Sequence, residues 1–315
     1  TIKIGMITDM SGLYTDIDGA GGAEAIKLAI ADAGVVIAGK KVEFISADHQ
    51  NKADIAASKA REWFDQQGVD MLVGGTNSGA NLAMAKVAAD KKKIFISIGA
   101  GSSRLTNEEC TPYTVHYAYD TVALARGTGG AIVKQGGKNW YFMTADYAFG
   151  QSLEKDTSDV VKAAGGKVLG SVKHPLSASD FSSFLLQAQA SKAKIIGLAN
   201  AGADTTNAIK QAAEFGIVKG GQNLAGLLVF LTDVHALGLD KAQGLIFTET
   251  FYWDLNDQTR AWSKRFAAGN NGKYPTMGHA GVYAGTLHYL RAVAALKSDD
   301  GAKVVAKMKD LPTDD

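Results

Sequence analysis

Two loops in the first hundred residues combine small, hydroxyl-bearing and glycine residues directly after apolar, strand-like runs. Residues 75–79 read GTNSG and open a helix, and residues 99–103 read GAGSS. Free N–H groups at a helix start, helped by the helix dipole, suit a carboxylate or similar anion, and glycine lets a ligand approach the backbone closely. An ordinary helix cap at Ser78 and an ordinary turn at 99–103 are the alternatives. The ligand-binding candidates are Asn77, Ser78, Gly99, Ala100, Gly101 and Ser102.

A third loop places aromatic rings where a solvated loop would favour polar residues. Residues 146–150 read DYAFG and follow a strand-like run in the second half of the chain. Rings at such a position stack on planar or apolar solutes, so Tyr147 and Phe149 are candidate ligand contacts, with core packing as the alternative for Phe149. The loops 200–202 and 230–232 follow later strands and add the weaker candidates Ala201 and Phe230.

The motifs of enzyme chemistry are missing from the sequence. There is no phosphate-binding P-loop, no nucleophile elbow and no HExxH helix, and the six histidines share no metal-ligand spacing. The glycine pattern at 19–21 lacks the third glycine of a dinucleotide fingerprint, because Glu24 stands there. The single cysteine, Cys110, has no partner for a disulfide or a zinc site. We therefore expect no cofactor, no metal and no catalysis, although an isolated Asp or Glu can act as an acid or base.

Composition points to a soluble protein of two domains with a small-molecule partner. The chain has 315 residues, 46% hydrophobic and 21% charged, with a net charge of +1. This balance lacks the charge that nucleic acid or an anionic membrane surface would attract. No apolar run approaches the roughly 18 residues of a membrane span. The chain opens into a strand at Thr1 without an initiating Met, which favours a secreted mature form whose signal peptide was removed, although a trimmed chain would look the same.

Strand-like and helix-like segments alternate along the chain, which predicts an α/β fold with two doubly wound parallel sheets. The predicted strands of the first half are 2–8, 42–47, 71–74 and 94–98, with helices near 25–30, over 53–67 and from 78. The second half is predicted as helices 121–135, 151–164, 180–191 and 205–215 and strands 140–144, 168–172, 195–199, 224–230 and 245–250. Tail helices 260–268, 280–297 and 302–309 have no sheet of their own and should pack on the first one.

Several of these segments resemble the periplasmic receptors of branched-chain amino acid ABC transporters. The matching stretches are the first strand into DMSG at 9–12, 69–74 into Asn77-Ser78, 96–100 before Leu105-Thr106, DYAFGQ at 146–151, DFS at 180–182 and QAAEFG at 211–216. The likeness runs in order over essentially the whole chain.

The resemblance implies a type I periplasmic binding fold with two Rossmann-like lobes joined by three crossing strands. The lobes would be 1–119 plus 252–315 and 120–251, with a ligand cleft between them and crossings near 117–120, near 248–252 and close to the C-terminus. The chain ends before the last crossing strands expected. The family would make it a periplasmic monomer that binds a small solute, closes over it and delivers it to a membrane permease. By position, Ser78, Ala100 and Gly101 would hold the solute's carboxylate and Phe149 would form an aromatic wall.

Departures from the leucine-type pattern point to a different solute. That pattern has a threonine at Gly101, an aromatic residue at Ala201 and, at 229–231, a glutamate that holds the ammonium group. Without that carboxylate, an aromatic acid of the benzoate or cinnamate type is favoured over leucine, isoleucine or valine. His116, Tyr119 and Tyr252, near the crossings, are weaker candidates for a hydroxyl partner or ring surface. An aliphatic amino acid, an amide-sensing domain of the same fold and an enzyme are the alternatives.

Overall fold

The computed structural model describes residues 1–313 and divides the chain into two α/β units. The first unit comprises Thr1–Tyr119 and the chain from Thr250 onward, and the second is Asp120–Glu249. Each unit has its own mainly parallel sheet and its own helices, which confirms the predicted fold class.

Six strands form the sheet of the first unit. They are β1 Ile2–Thr8, β2 Val36–Ile37, β3 Lys40–Asp48, β4 Met71–Gly74, β5 Ile94–Ser97 and β6 Thr114–His116, in the order β2-β3-β1-β4-β5-β6. All neighbouring pairs are parallel except β2 with β3. Strands β4 and β5 are buried along their whole length, as expected for a parallel sheet that helices cover on both faces.

The second unit carries a four-stranded parallel sheet. Its strands are β7 Asn139–Ala145, β8 Lys167–His174, β9 Ile195–Ala199 and β10 Asn223–Gly226, in the order β10-β9-β7-β8. Met143 and Leu198 of the sheet pack with Phe181 and with Ile209 of the covering helices in one apolar cluster.

The helices follow the strands in regular alternation. They are α1 Thr15–Asp18, α2 Ala20–Ala33, α3 Ala53–Glu62, α4 Ser78–Asp90, α5 Thr121–Leu124, α6 Gly130–Lys134, α7 Ala148–Ala163, α8 Ser182–Ala190, α9 Gly202–Glu214, α10 Leu231–Leu237, α11 Leu239–Ala242, α12 Asp257–Gly269, α13 Met277–Leu296 and α14 Gly301–Asp310. A π-helical turn, Trp63–Gln67, extends α3, and a second, Ala125–Gly129, joins α5 to α6. The predicted single helices over 53–67 and 121–135 therefore contain a change of helical pitch.

The tail helices pack on the first sheet, as the sequence predicted. Val282 and Leu290 of α13 and Val304 of α14 belong to the same apolar cluster as Ile4 of β1 and Ile96 of β5. A helix without a strand partner of its own thus buries its apolar face on the existing sheet.

Two predicted strands were wrong in extent or in kind. The strand predicted at 224–230 ends at Gly226, and residues 227–230 lead into α10, where the N–H of Phe230 donates to the Asp233 carboxylate (2.8 Å) and not to a strand. The segment 245–250 is irregular, although Leu245 still packs on the apolar cluster of the second unit. Residues 227–230 are buried without a neighbouring strand, whereas Ile246 in the second segment is 39% exposed, so its apolar pattern does not mark a buried strand.

The crossings between the units also differ from the implied strands. The chain passes between units at 119/120 and at 249/250, and both segments are irregular. Neither segment belongs to a sheet among residues 1–313, so no ladder hydrogen bonds hold them extended. Those residues contain two crossings.

Candidate functional site

The two sheets change their winding direction beside their first strands. Strand β1 lies between β3 and β4, and β7 lies between β8 and β9. The connections on the two sides of each of these strands therefore run in opposite directions, and in folds of this kind ligands bind beyond the carboxyl ends of the strands at this point. The loops that start there are 9–14 and 75–77 in the first unit and 146–147 and 200–201 in the second.

Asp9 fixes the loop after β1. Its carboxylate is buried and accepts hydrogen bonds from the N–H groups of Ser11 (3.1 Å), Gly12 (2.7 Å) and Tyr14 (2.9 Å) and from the side-chain amide of Asn51 (2.7 Å). Four donors on one carboxylate leave the loop little freedom. The amide oxygen of Asn51 in turn accepts a hydrogen bond from Asn77 in the next loop.

Asn77 holds the loop between β4 and α4. It has φ 110° and ψ 101°, a region that side chains other than glycine rarely adopt. Its amide oxygen accepts from the N–H of Ala80 (2.9 Å), and its amide nitrogen donates to Asn51 (3.1 Å). Its carbonyl accepts from the side chain of Asn81 (2.9 Å). Asn77, and not Ser78, is therefore the N-cap of α4, and Ser78 is the first helical residue.

Ser78 joins the two loops that the sequence singled out. Its hydroxyl oxygen accepts a hydrogen bond from the N–H of Ser102 (3.1 Å). The carbonyls of Gly99 and Ala100 accept from the Tyr119 hydroxyl and from His116 Nε2, both at 2.6 Å. A carbonyl only accepts, so this contact places the His116 proton on Nε2.

Two N–H groups of this turn, unlike its two carbonyls, have no protein partner within residues 1–313. Among residues 1–313 the N–H groups of Ala100 and Gly101 donate to no protein acceptor, and the Ser78 hydroxyl donates to none. Ala100 is 1% exposed and Ser78 is fully buried. We call Ser78, Ala100 and Gly101, together with the first turn of α4, the anion cradle. The structure brings these residues together with Asn77, Gly99, Ser102, His116 and Tyr119.

In the second unit the aromatic candidates stand at the carboxyl edge of the sheet. Tyr147 is the N-cap of α7, Phe149 lies in its first turn, and their ring centroids are 6.2 Å apart. Ala201 caps α9 and Phe230 caps α10. All four therefore begin helices that follow β7, β9 and β10. Phe149 and Phe230 are buried.

Two hydrogen bonds of His174 stabilise this edge of the sheet. Asn200 accepts from the Thr205 hydroxyl (2.6 Å) and donates to His174 Nε2 (3.1 Å), while His174 Nδ1 donates to the carbonyl of Pro175 (2.9 Å). Burial lowers the pKa of His174, so the ring is neutral and its tautomer is fixed by these two contacts. The end of β8 is thereby tied to the loop after β9.

Tyr252 lies at the surface of the first unit. It is 43% exposed, and its ring centroid is 6.0 Å from that of Trp253, which stacks on Tyr274 at 4.4 Å. The structure thus places it in a surface aromatic cluster.

Two carboxyl groups that sequence reasoning missed, one buried and one half-buried, have no compensating cation among residues 1–313. Asp18 lies beneath the loops of the first unit. Glu249 ends the second unit, and its Oε1 has no hydrogen-bond partner among residues 1–313. Burial raises the pKa of Asp18 to about 6 and that of Glu249 to about 7. Neither position carries a sequence signal, because isolated acidic residues are normally solvated.

We expect Glu249→Gln to raise the free energy of unfolding by about 1–2 kcal/mol relative to the wild type near pH 8. This value is reduced to allow for the partial exposure of Glu249 to solvent. Because the folded pKa of Glu249, about 7, lies above its ordinary value of 4.5, the stability it contributes is complete below about pH 4.5 and is lost as the pH rises through 7. The gain should therefore vanish near pH 4. Calorimetric unfolding at both pH values measures it. Glu214→Gln, an exposed change in the same unit, is the control, and equal behaviour of the two variants would contradict the assignment.

Neither a metal site nor a membrane helix is found in the described chain. No group of three or more His, Cys, Asp or Glu residues within 1–313 is placed to hold a metal ion. No helix in the same range is both long enough and apolar enough to cross a bilayer.

Two α/β units, each with ligand-type loops at the switch point of a parallel sheet, define a two-lobe binding protein. The chain belongs to the periplasmic binding protein family, whose model matches residues 1–315. It is a solute-binding receptor of the ABC transporter class with the type I fold, as the sequence resemblance predicted. Receptors of this family are extracytoplasmic and work with membrane permeases.

Solved structures agree with this assignment. A periplasmic binding protein from Burkholderia mallei is 63% identical, with a TM-score of 0.98 over 100% of this chain and 84% of that one. A branched-chain amino acid ABC transporter periplasmic ligand-binding protein from Burkholderia xenovorans is 40% identical, with a TM-score of 0.86 over 100% and 84%. A solute-binding protein from Rhodopseudomonas palustris, in complex with 3,4-dihydroxybenzoic acid, is 26% identical, with a TM-score of 0.86 over 97% and 84%.

Proposed function

We propose that this receptor binds an aromatic carboxylate, of the benzoate or cinnamate type, and delivers it to its permease after the second unit closes over it. The anion cradle carries the proposal. Two backbone N–H groups and one hydroxyl, in Ala100, Gly101 and Ser78, lack protein acceptors within residues 1–313. Buried donors are normally paired, so two such donors in the 99–102 turn and one on Ser78, which contacts that turn, favour an anionic group as their partner.

The cradle has the strength to hold a carboxylate without a lysine or arginine. Hydrogen bonds to a charged group contribute roughly 1.5–3 kcal/mol each, and the α4 dipole adds a favourable potential. Three such bonds reach the scale of about 8 kcal/mol that corresponds to micromolar affinity. Ring contacts then supply the remaining affinity and the selectivity.

The aromatic side of the solute would be recognised by the second unit. Tyr147, Phe149 and Phe230 begin the helices at the carboxyl edge of its sheet, a position suited to stacking on a planar ring. Ala201 and Gly101 are small and leave room for a ring that a larger side chain would exclude. The relative in complex with 3,4-dihydroxybenzoic acid shows that a receptor of this fold accommodates such a ring.

One observation favours a second candidate, an aliphatic amino acid. The unpaired Oε1 of Glu249 is a buried acceptor that an ammonium group would satisfy. The Burkholderia xenovorans relative is described as a receptor of a branched-chain amino acid transporter. If this candidate is correct, Glu249→Gln should abolish leucine binding and leave the binding of aromatic acids unchanged.

A thermal-shift panel of 3,4-dihydroxybenzoate, cinnamate, leucine and 3,4-dihydroxybenzamide tests the proposal. At a hundredfold excess over its dissociation constant, a true solute adds about 2.7 kcal/mol of stability, so an aromatic acid should raise the melting temperature by several degrees. The amide is the matched control, because it keeps the ring and removes the charge. A shift with leucine alone would support the second candidate, and an equal shift with the amide would contradict a carboxylate cradle.

A further inference from the structure

Asp18 connects the end of β1 to the loop that precedes the anion cradle. It is the last residue of α1 and is fully buried. Its Oδ1 accepts from the Thr8 hydroxyl (2.9 Å) and the Thr76 N–H (3.1 Å), and its Oδ2 accepts from the Thr76 hydroxyl (3.0 Å). Three neutral donors therefore hold this carboxyl group.

Within residues 1–313 no positive charge compensates Asp18. Its electrostatic surroundings in that range contain Asp9, which repels it, and no lysine or arginine. The nearby histidines are His49, after β3, and His279 on α13, where an added Cβ at Gly21 would lie 2.4 Å from its Nε2. Burial lowers the pKa of both rings, to about 3 for His279, so both are neutral near pH 7. The ionised form of Asp18 is thus a buried charge stabilised only by hydrogen bonds.

The same carboxyl group lies directly against the anion cradle. A Cβ added at Gly99 would lie 2.1 Å from Asp18 Oδ2, so the carboxyl contacts the residue immediately before Ala100. Thr76, which it binds twice, is two residues before Ser78. An anion held by Ala100, Gly101 and Ser78 therefore becomes the second negative charge in one buried site.

We propose that a carboxylate solute binds to this receptor together with one proton, which Asp18 takes up from the buffer. This inference rests on the proposed function, because it requires a carboxylate in the cradle. Two like charges close together in a water-poor site cannot both remain ionised without a large penalty. The hydroxyl oxygens of Thr8 and Thr76 can each accept as well as donate. When Asp18 is protonated, its O–H can donate to one of these hydroxyl oxygens. The carboxyl group therefore keeps all its hydrogen bonds, with donor and acceptor exchanged in one of them.

Isothermal titration of the whole receptor measures the proton directly. The probes are 3,4-dihydroxybenzoate and leucine, each titrated near pH 7 in phosphate and in Tris, whose ionisation enthalpies differ. We expect roughly 0.5–1 proton to be taken up per solute bound, because the free group is mainly ionised there and the bound one is protonated. The dissociation constant should rise by up to about tenfold per pH unit between pH 6.5 and 8, since the bound state holds the extra proton.

Asp18→Asn separates proton uptake from simple support of the loops. Asparagine keeps the shape, accepts from Thr8 and the Thr76 N–H, and donates to the Thr76 hydroxyl. Binding of the solute to this variant should not depend on pH and should take up no proton. Near pH 8 it should be at least as tight as binding to the wild type. Asp16→Asn changes an exposed carboxylate on the same helix and should leave proton uptake and the pH profile unchanged.

The outcomes distinguish this inference from the function on which it rests. Binding by the wild type with a heat that does not depend on the buffer would overturn proton uptake and leave the proposed function intact. Weaker binding of Asp18→Asn at every pH would also overturn it, because it would assign Asp18 a purely structural part. If neither probe binds, the carboxylate cradle is wrong and this inference falls with it. The wild-type titration decides the matter even if Asp18→Asn does not fold.

Discussion

Alanine at position 99 is expected to lower the free energy of unfolding by about 3 kcal/mol and to weaken solute binding at least tenfold. The added Cβ would lie 2.1 Å from Asp18 Oδ2, 2.5 Å from the Thr76 hydroxyl and 2.7 Å from the Thr76 N–H. None of these atoms is the end of a flexible chain, because each takes part in the buried Asp18 network. Relief must therefore come from displacement of the 99–102 turn, which carries two donors of the cradle.

The matched control for Gly99→Ala is Gly130→Ala. Gly130 begins α6 with helical φ, and an added Cβ there would meet no atom within 4 Å. This change should raise the free energy of unfolding by about 0.5–1 kcal/mol, since alanine loses less backbone entropy in a helix. Chemical denaturation and titration with 3,4-dihydroxybenzoate measure both variants. Unchanged stability and affinity in Gly99→Ala would contradict the tight packing of Asp18 against this turn.

The sequence was a good guide to elements whose signal is local. Strands β1, β4 and β9 were predicted to the residue, and β7 to within one residue at each end, because buried parallel strands are short apolar runs between glycine-rich loops. The loops 75–79 and 99–103 were found for the same reason. The carboxyl ends of parallel strands share one edge, so the loops that follow the neighbouring strands β4 and β5 meet there, and Ser78 contacts Ser102.

The sequence was a poor guide where a single hydrogen bond or the burial of one side chain, and not the apolar pattern, decides the structure. The helix from Leu231 depends on Asp233 bonding to the Phe230 N–H, and an apolar run that ends in such a cap reads like a longer strand. Asp18 and Thr76 are far apart in the chain, and no pattern marks an acidic residue as buried. Glu249 was missed for the same reason: its raised pKa of about 7 comes from burial alone.

The loops of the first unit share one physical design, in which side-chain amides and carboxylates replace the backbone ladder beyond the strand ends. Asp9 binds Asn51, Asn51 binds Asn77, and Asn77 is bound in turn by Asn81. The Ser97 hydroxyl donates to the amide oxygen of Asn81 (2.8 Å), which links the chain to β5. Satisfied polar networks of this kind rigidify a site, so the cradle donors are held in place before a solute arrives.

Asn77→Ala is expected to lower the free energy of unfolding by about 2–3 kcal/mol. It removes the cap on the Ala80 N–H, typically worth about 1 kcal/mol, and it leaves the amide oxygen of Asn51 unpaired. Alanine must also adopt φ 110° without the side-chain bonds that hold asparagine there. Binding of 3,4-dihydroxybenzoate should weaken at the same time, because α4 would no longer begin at a fixed point.

Asn77→Gly separates backbone strain from lost hydrogen bonds. Glycine adopts φ 110° readily and costs only a few tenths of a kcal/mol as a cap, so its free energy of unfolding should exceed that of Asn77→Ala by about 1 kcal/mol or more. Urea denaturation of the two variants under identical conditions gives the difference. If alanine is tolerated as well as glycine, the loop at 75–77 relaxes to an ordinary conformation. The cradle would then owe its geometry to the 99–102 turn alone.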